Sequence, residues 1–182
     1  MTATRALFVV PCSNSKLTHR APARLLYTGS TFRLALRVVE REAALTTESG
    51  LPASVLILSA RHGLITPDTE IDPYDQTMTD TGSIPVPSLA TQLLTHQITS
   101  GTDIYAFLPH LYRTRLRAAV DLLCQLTEAT VLIHDVYEAA PGIGYQRQVL
   151  ASIRRSQPPA PDRAADLPRA MSSAAPAHRD PR

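Results

Sequence analysis

Four short apolar runs limit what this chain can fold into: Ala6–Val10 (ALFVV), Val55–Leu58 (VLIL), Ile104–Leu108 (IYAFL) and Thr130–Ile133 (TVLI). Each reads as a strand, Ala6–Val10 as a buried one and Val55–Leu58 as one buried on both faces. Segments of helical character separate them. In Phe32–Ala44, Phe32, Leu34, Ala35, Leu36, Val38 and Val39 form an apolar stripe, with Arg33, Arg37, Glu40, Arg41 and Glu42 on the wet face. Ser30 or Thr31 suits its N-cap. Leu89–Ile98, Leu111–Leu126 and Tyr145–Ile153 read as three more helices. Strands that alternate with helices require right-handed crossovers and a parallel sheet. The expected fold is α/β, a three-layer α/β/α sandwich with a four-stranded, mainly parallel sheet. It occupies one domain over residues 1–155, and residues 156–182, rich in Pro, Ala and Arg without periodicity, read as a disordered tail.

Charge matters only once it is located. The chain is formally +2, but residues 154–182 hold six Arg against three acidic residues, which leaves twelve basic and thirteen acidic residues in the body. The body therefore has no bulk basic character, and any nucleic-acid contact would rest on a local patch. Two cysteines, Cys12 and Cys124, without metal-ligand spacing suit a reduced, cytoplasmic chain. The opening apolar run stops at Pro11 and no segment approaches about 18 apolar residues, so neither export nor membrane insertion is expected.

A parallel sheet sends all its strand ends to one edge, where open α/β sheets bind ligands. Cys12, Ser13 and Lys16 follow the first run, and Ser59, Arg61 and His62 the second. His110 follows the third, and His134 and Asp135 the fourth. Lys16, the chain's only lysine, is suited to hold a phosphate or carboxylate as a point charge, or is a solvated loop lysine. Ser13 adds a donor to an anion nest or simply sits in a turn. Cys12 occupies a nucleophile's position, although a small buried thiol reads as well.

His62 is the leading candidate for chemistry, since imidazole exchanges protons near neutral pH. Its plain alternative is a histidine bonded within a structural turn. Beyond it, Pro67 and Pro73 keep a long loop open, and Asp72 and Asp75 flank Tyr74. Those carboxylates orient water or cap turns. Tyr74 offers a ring for stacking, or packs. Gly142-Ile143-Gly144 ahead of the last helix brings backbone N–H groups toward an anion. A GxG after the last strand instead of the first is no dinucleotide fingerprint, so no cofactor is implied. A metal hydrolase built on His62, His110, His134 and Asp135 lacks diagnostic spacing, so no metal is expected.

Cys12-Ser13-Asn14-Ser15-Lys16, Ala21-Pro22-Ala23 with Leu26-Tyr27, Ser30 and Phe32, Leu58-Ser59-Ala60-Arg61-His62-Gly63-Leu64, Pro73-Tyr74-Asp75 and the turn at Gly142–Gly144 occur in that order. Over roughly residues 6–150 this resembles a family of small bacterial and phage proteins known only as a domain of unknown function. Its motifs run C-S-x-x-K, P-A-x-x-L-Y-x-S-x-x-F, L-S-A-x-H-G-L and P-Y-D. That family is loosely similar to the uracil-DNA-glycosylase-like fold and to a region of archaeosine synthase. The resemblance implies a pocket for a nucleobase and N-glycosidic chemistry. The chain lacks the Gly-Gln-Asp-Pro-Tyr-type water-activating loop of such glycosylases after its first strand.

The expected function is thus an enzyme acting on a nucleobase, nucleotide or modified nucleic acid by N-glycosidic hydrolysis. Tyr74 or Tyr27 would stack on the base and His62 would stabilise developing charge. Asp72 or Asp75 would position water, while Ser13 and Lys16 hold phosphate. The alternative is a non-catalytic protein that recognises a nucleotide or nucleic acid in stress response or phage defence. The oligomeric state stays open.

Overall fold

A computed structural model describes residues 3–139 and 142–159. Its elements are β1 (Arg5–Pro11), β2 (Ala21–Pro22), α1 (Ala23–Leu26), α2 (Ser30–Glu48), β3 (Ala53–Ser59), β4 (Gly63–Ile65), β5 (Glu70–Ile71), α3 (Val86–Thr95), β6 (Thr102–Ala106), α4 (His110–Thr127), β7 (Leu132–Asp135) and α5 (Ile143–Ser156). The central sheet has five strands in the order β4-β3-β1-β6-β7. β3, β1, β6 and β7 are the four expected strands, and they run parallel.

The sheet is one strand larger than the four-stranded expectation. After β3 the chain folds back at once, pairing Ser59 with Gly63 and Ile57 with Ile65 in an antiparallel hairpin. Gly63 makes this turn possible by adopting φ +72°, a conformation that disfavours any residue with a Cβ. The loop that follows is also partly paired: Glu70–Ile71 lies antiparallel to Ala21–Pro22.

β1 is central, and its alternation explains its unbroken apolar run. Ala6, Phe8 and Val10 join one buried cluster with Leu36, Val39 of α2 and Leu150 of α5. Leu7 and Val9 join another with Leu89, Leu93 of α3 and Leu116, Val120 and Leu123 of α4. A strand that feeds two cores has no polar positions to show. The crossover from β1 to β3 carries α2 on the first face, and the crossover from β3 to β6 carries α3 on the second. The chain thus changes direction across the sheet between β1 and β6, which defines a topological switch point.

The helical body runs further than residue 155. Gln157 donates to Val38 O at 3.0 Å and Glu42 Oε1 at 2.8 Å, holding the end of α5 against α2. The rest of the expected tail, residues 160–182, lies outside the described residues. No helix among the described residues is long and apolar enough to cross a membrane.

Candidate functional site

The switch point is open. A cavity of about 450 Å³ lies at the carboxyl ends of β1 and β6, floored by Pro11, Cys12, Ser13 and Phe107. Three helices meet it by their first turns: α2 through Gly29–Phe32, α4 through Pro109 and Tyr112, and α5 through Ile143 and Gln146. Gly29, and not Ser30 or Thr31, is the N-cap of α2, so both hydroxyls fall inside the first turn. Pro109 and Gly142 cap the other two helices. None of the three caps makes a side-chain hydrogen bond, and none of the first turns holds an acidic residue. Intrahelical bonding begins at Arg33, Arg113 and Gln146, leaving the preceding N–H groups without partners among the described residues.

The walls are aromatic and neutral. Phe32, Phe107, Tyr112 and Tyr137 supply rings, and Ser13, Asn14, Ser15, Ser30, Thr31 and Gln146 supply polar groups. Among the described residues no charged side chain lines the cavity. Gln146 is buried to 9% exposure, and its amide has no hydrogen-bond partner among the described residues. Ser13 packs so closely on Gly29 that a Cβ at 29 would overlap its Oγ, which accounts for the glycine. Cys12 Sγ and Tyr112 Oη lie 3.3 Å apart, and burial with the neighbouring Cys12 pushes the Tyr112 phenol well above its ordinary range.

Beside the cavity, at the end of β3, lies a closed hydroxyl chain. Ser59 Oγ accepts the N–H groups of Arg61 (3.2 Å) and His62 (3.0 Å). A hydroxyl with both lone pairs engaged has only its hydrogen left. That hydrogen is donated to Tyr74 Oη at 2.8 Å, and Tyr74 in turn donates to Tyr27 Oη at 2.8 Å. All three side chains are buried. Burial raises both phenols, Tyr27 to about 12 against the opposing hydrogen bond from Tyr74. On the other side of the turn, Gln92 accepts from Leu64 N–H and donates to His62 C=O, both at 2.8 Å. A Cβ on Gly63 would overlap that amide.

The Tyr74 ring carries three neighbours. Lys16 Nζ sits 4.3 Å from its centroid, Arg61 Cζ 5.9 Å, and the His62 ring packs edge-on at 5.2 Å. His62 Nε2 is buried and unpartnered among the described residues. Burial and then the Arg61 charge lower the imidazole pKa, opposed by Asp72, so the neutral ring is favoured.

The expected site residues thus divide. Cys12 and Ser13 face the cavity. Lys16, Tyr27, Ser59, Arg61, His62 and Tyr74 form the adjacent cluster. Neither Tyr27 nor Tyr74 presents a free ring for stacking, because both are buried with their hydroxyls engaged. Asp72 is exposed and pairs with Arg20 at 3.6 Å, and Asp75 is exposed too, so neither carboxylate reaches into the hydroxyl chain. Gly142 caps α5 and Gly144 lies exposed in its first turn; their neighbours Ile143 and Gln146 face the cavity. His110 meets Arg113, and His134 of β7 stacks on its cross-strand neighbour Tyr105 of β6. Among the described residues no three His, Cys, Asp or Glu side chains gather to hold a metal ion.

A family model described as a family of unknown function (DUF6884) matches residues 7–130. The chain belongs to that family. The match takes in β1 through α4, and so the cavity floor, two of its three helix ends and the whole hydroxyl chain; Tyr137 and Gln146 lie beyond it. No curated protein and no solved structure matches the chain.

Sequence reasoning missed Tyr112, Phe107, Tyr137, Gln92 and Gln146. Phe107 and Tyr112 stand within three residues of Pro109, where the third strand gives way to a helix, a signal that was available. Gln146 had none, because a single glutamine in a polar helix turn is ordinary until the fold buries it.

Proposed function

We propose that this protein acts on a nucleobase-containing ligand held in the switch-point cavity, and that the bond it works on is N-glycosidic. The observation that carries this reading is the cavity itself: aromatic walls beside three helix N-termini, with no carboxylate among the described lining residues. Rings on those walls suit a planar base. Partial positive charge at the helix ends would stabilise the negative charge that a departing base develops. In the hydrolysis, the water oxygen bonds to C1′ as the C1′–N bond breaks. The bonding pair leaves with the base, which takes up a proton from the water. His62 is the proton carrier this reading nominates: its ring is neutral, and it lies in the cluster beside the cavity and not among the lining residues, so the proton would have to pass through that cluster. The ordered motifs, read as similar to uracil-DNA-glycosylase-like proteins, and a three-layer α/β/α reading of the fold support it by analogy.

One observation favours a second reading. Asp72 and Asp75, the candidates for positioning water, are exposed. A pocket that recognises a nucleotide without cleaving it requires neither. Incubation with nucleosides, nucleotides and plain or base-modified DNA and RNA, followed by mass spectrometry of free bases, separates the two. Hydrolysis predicts a base released by the wild type and lost in His62→Ala. Release undiminished in that variant would remove His62 from the chemistry, and binding without release would leave recognition alone.

A further inference from the structure

We infer that the ligand carries a phosphate monoester, bound where the first turns of α2, α4 and α5 converge, and that it is a free mononucleotide. The inference rests on the reading of this cavity as a nucleobase site and names the group that accompanies the base.

A helix N-terminus presents N–H groups and about half a positive charge, and phosphate is its natural partner. One such end means little by itself. Here three helices of 19, 18 and 14 residues open on one cavity, each without a side-chain cap and without an acid in its first turn. Capping by Ser, Thr, Asp or Asn is the ordinary way to satisfy those N–H groups. Leaving three ends uncapped beside a void keeps their donors for something else. Gln146 is the independent sign. The residue is nine-tenths buried, yet its amide stays open to the cavity and bonds to none of the described residues. Its NH₂ is a donor that a phosphate oxygen completes, and Ser30 and Thr31 bring hydroxyls to the same place.

Charge selects the anion over a cation, since no carboxylate among the described residues lines the cavity. Size and charge select a mononucleotide over a polymer. A cavity of about 450 Å³ falls in the roughly 300–1,000 Å³ range of small-molecule sites. The body's twelve basic and thirteen acidic residues offer no track for a phosphodiester backbone.

Calorimetric titration of the full chain with the common nucleosides, their 5′-monophosphates, inorganic phosphate and a 5′-phosphorylated oligonucleotide tests this. At least one monophosphate should bind about tenfold or more tightly than its nucleoside, with inorganic phosphate competing. Gln146→Glu, which sets a carboxylate against the phosphate, should erase that advantage, so that the monophosphate binds no more tightly than the nucleoside does to the same variant. Gln146→Ala, carrying no charge, should lose part of it, and thermal melting of both variants confirms that they fold. Nucleoside and monophosphate binding equally would overturn the phosphate site yet keep the nucleobase reading. An oligonucleotide binding as tightly as the mononucleotide would overturn the assignment to a free nucleotide. Monophosphate bound without base release sustains the site and removes the hydrolysis, whereas no binding in either series overturns both.

Discussion

The ends of β1 and β3 lie next to each other on one sheet edge, but their polar groups are in opposite states. At β3 the Ser59 hydroxyl, two backbone N–H groups, two phenols and the Gln92 amide satisfy one another, with Tyr74 packed under Lys16, Arg61 and His62. At β1 the helix ends and Gln146 have no such partners among the described residues, and a void of about 450 Å³ stands before them. A closed network rigidifies the edge. The open set of donors beside it is where the proposed ligand would complete the structure. The contrast gives the first region a structural role, and the proposed function places recognition in the second.

Substitutions in the closed region should therefore cost the most. Tyr74→Ala removes a buried ring and the middle of the hydroxyl chain, so urea unfolding should show a loss of about 3–5 kcal/mol. Tyr74→Phe keeps the ring and strands the Ser59 hydrogen, for about 1–3 kcal/mol. Gly63→Ala should follow at about 1–2 kcal/mol from the positive φ, with more from displacing Gln92. In the open region, Gln146→Ala should change stability by no more than about 0.5 kcal/mol, since it removes an amide that bonds to nothing described. A loss equal to that of Tyr74→Phe would break the comparison by making Gln146 part of the scaffold.

The same division explains what the sequence disclosed. β1 and β3 were legible because a strand buried on both faces has no choice but to be apolar, whereas the edge strand β7 is half exposed and runs Leu132–Asp135, two residues later than its apolar run Thr130–Ile133. The β4 hairpin was not, since three residues, Gly63–Ile65, carry too little pattern to separate a strand from a loop. Motif residues such as Ser59, His62 and Tyr74 stood out by chemical type and order, and they do gather in space. Their partition between network and cavity did not show, because it depends on which hydroxyl accepts from which N–H. The N-cap of α2 was misread for a related reason. Ser30 and Thr31 have the chemistry of caps, but Gly29 has to sit flush against Ser13, and that moves the helix start one residue earlier.

His62 is the residue on which the comparison is sharpest, as it belongs to the closed region and yet has a free buried nitrogen. Burial and Arg61 lower its folded pKa, and Asp72 acts in the other direction. An imidazole in the unfolded chain titrates near about 6.5. Between the lowered folded value and that point, the unfolded state binds more protons than the folded one. Stability must then fall as pH drops through about 6.5 and level off below the folded pKa. Urea unfolding of the wild type and His62→Gln at a series of pH values isolates this term. The wild type should lose stability relative to the variant on going from pH 8 to pH 5. If the difference moved the other way, the fold would favour the imidazolium. Asp72 would then be closer to His62 in effect than its exposure suggests, and the carboxylate would return to the site as a partner for the histidine.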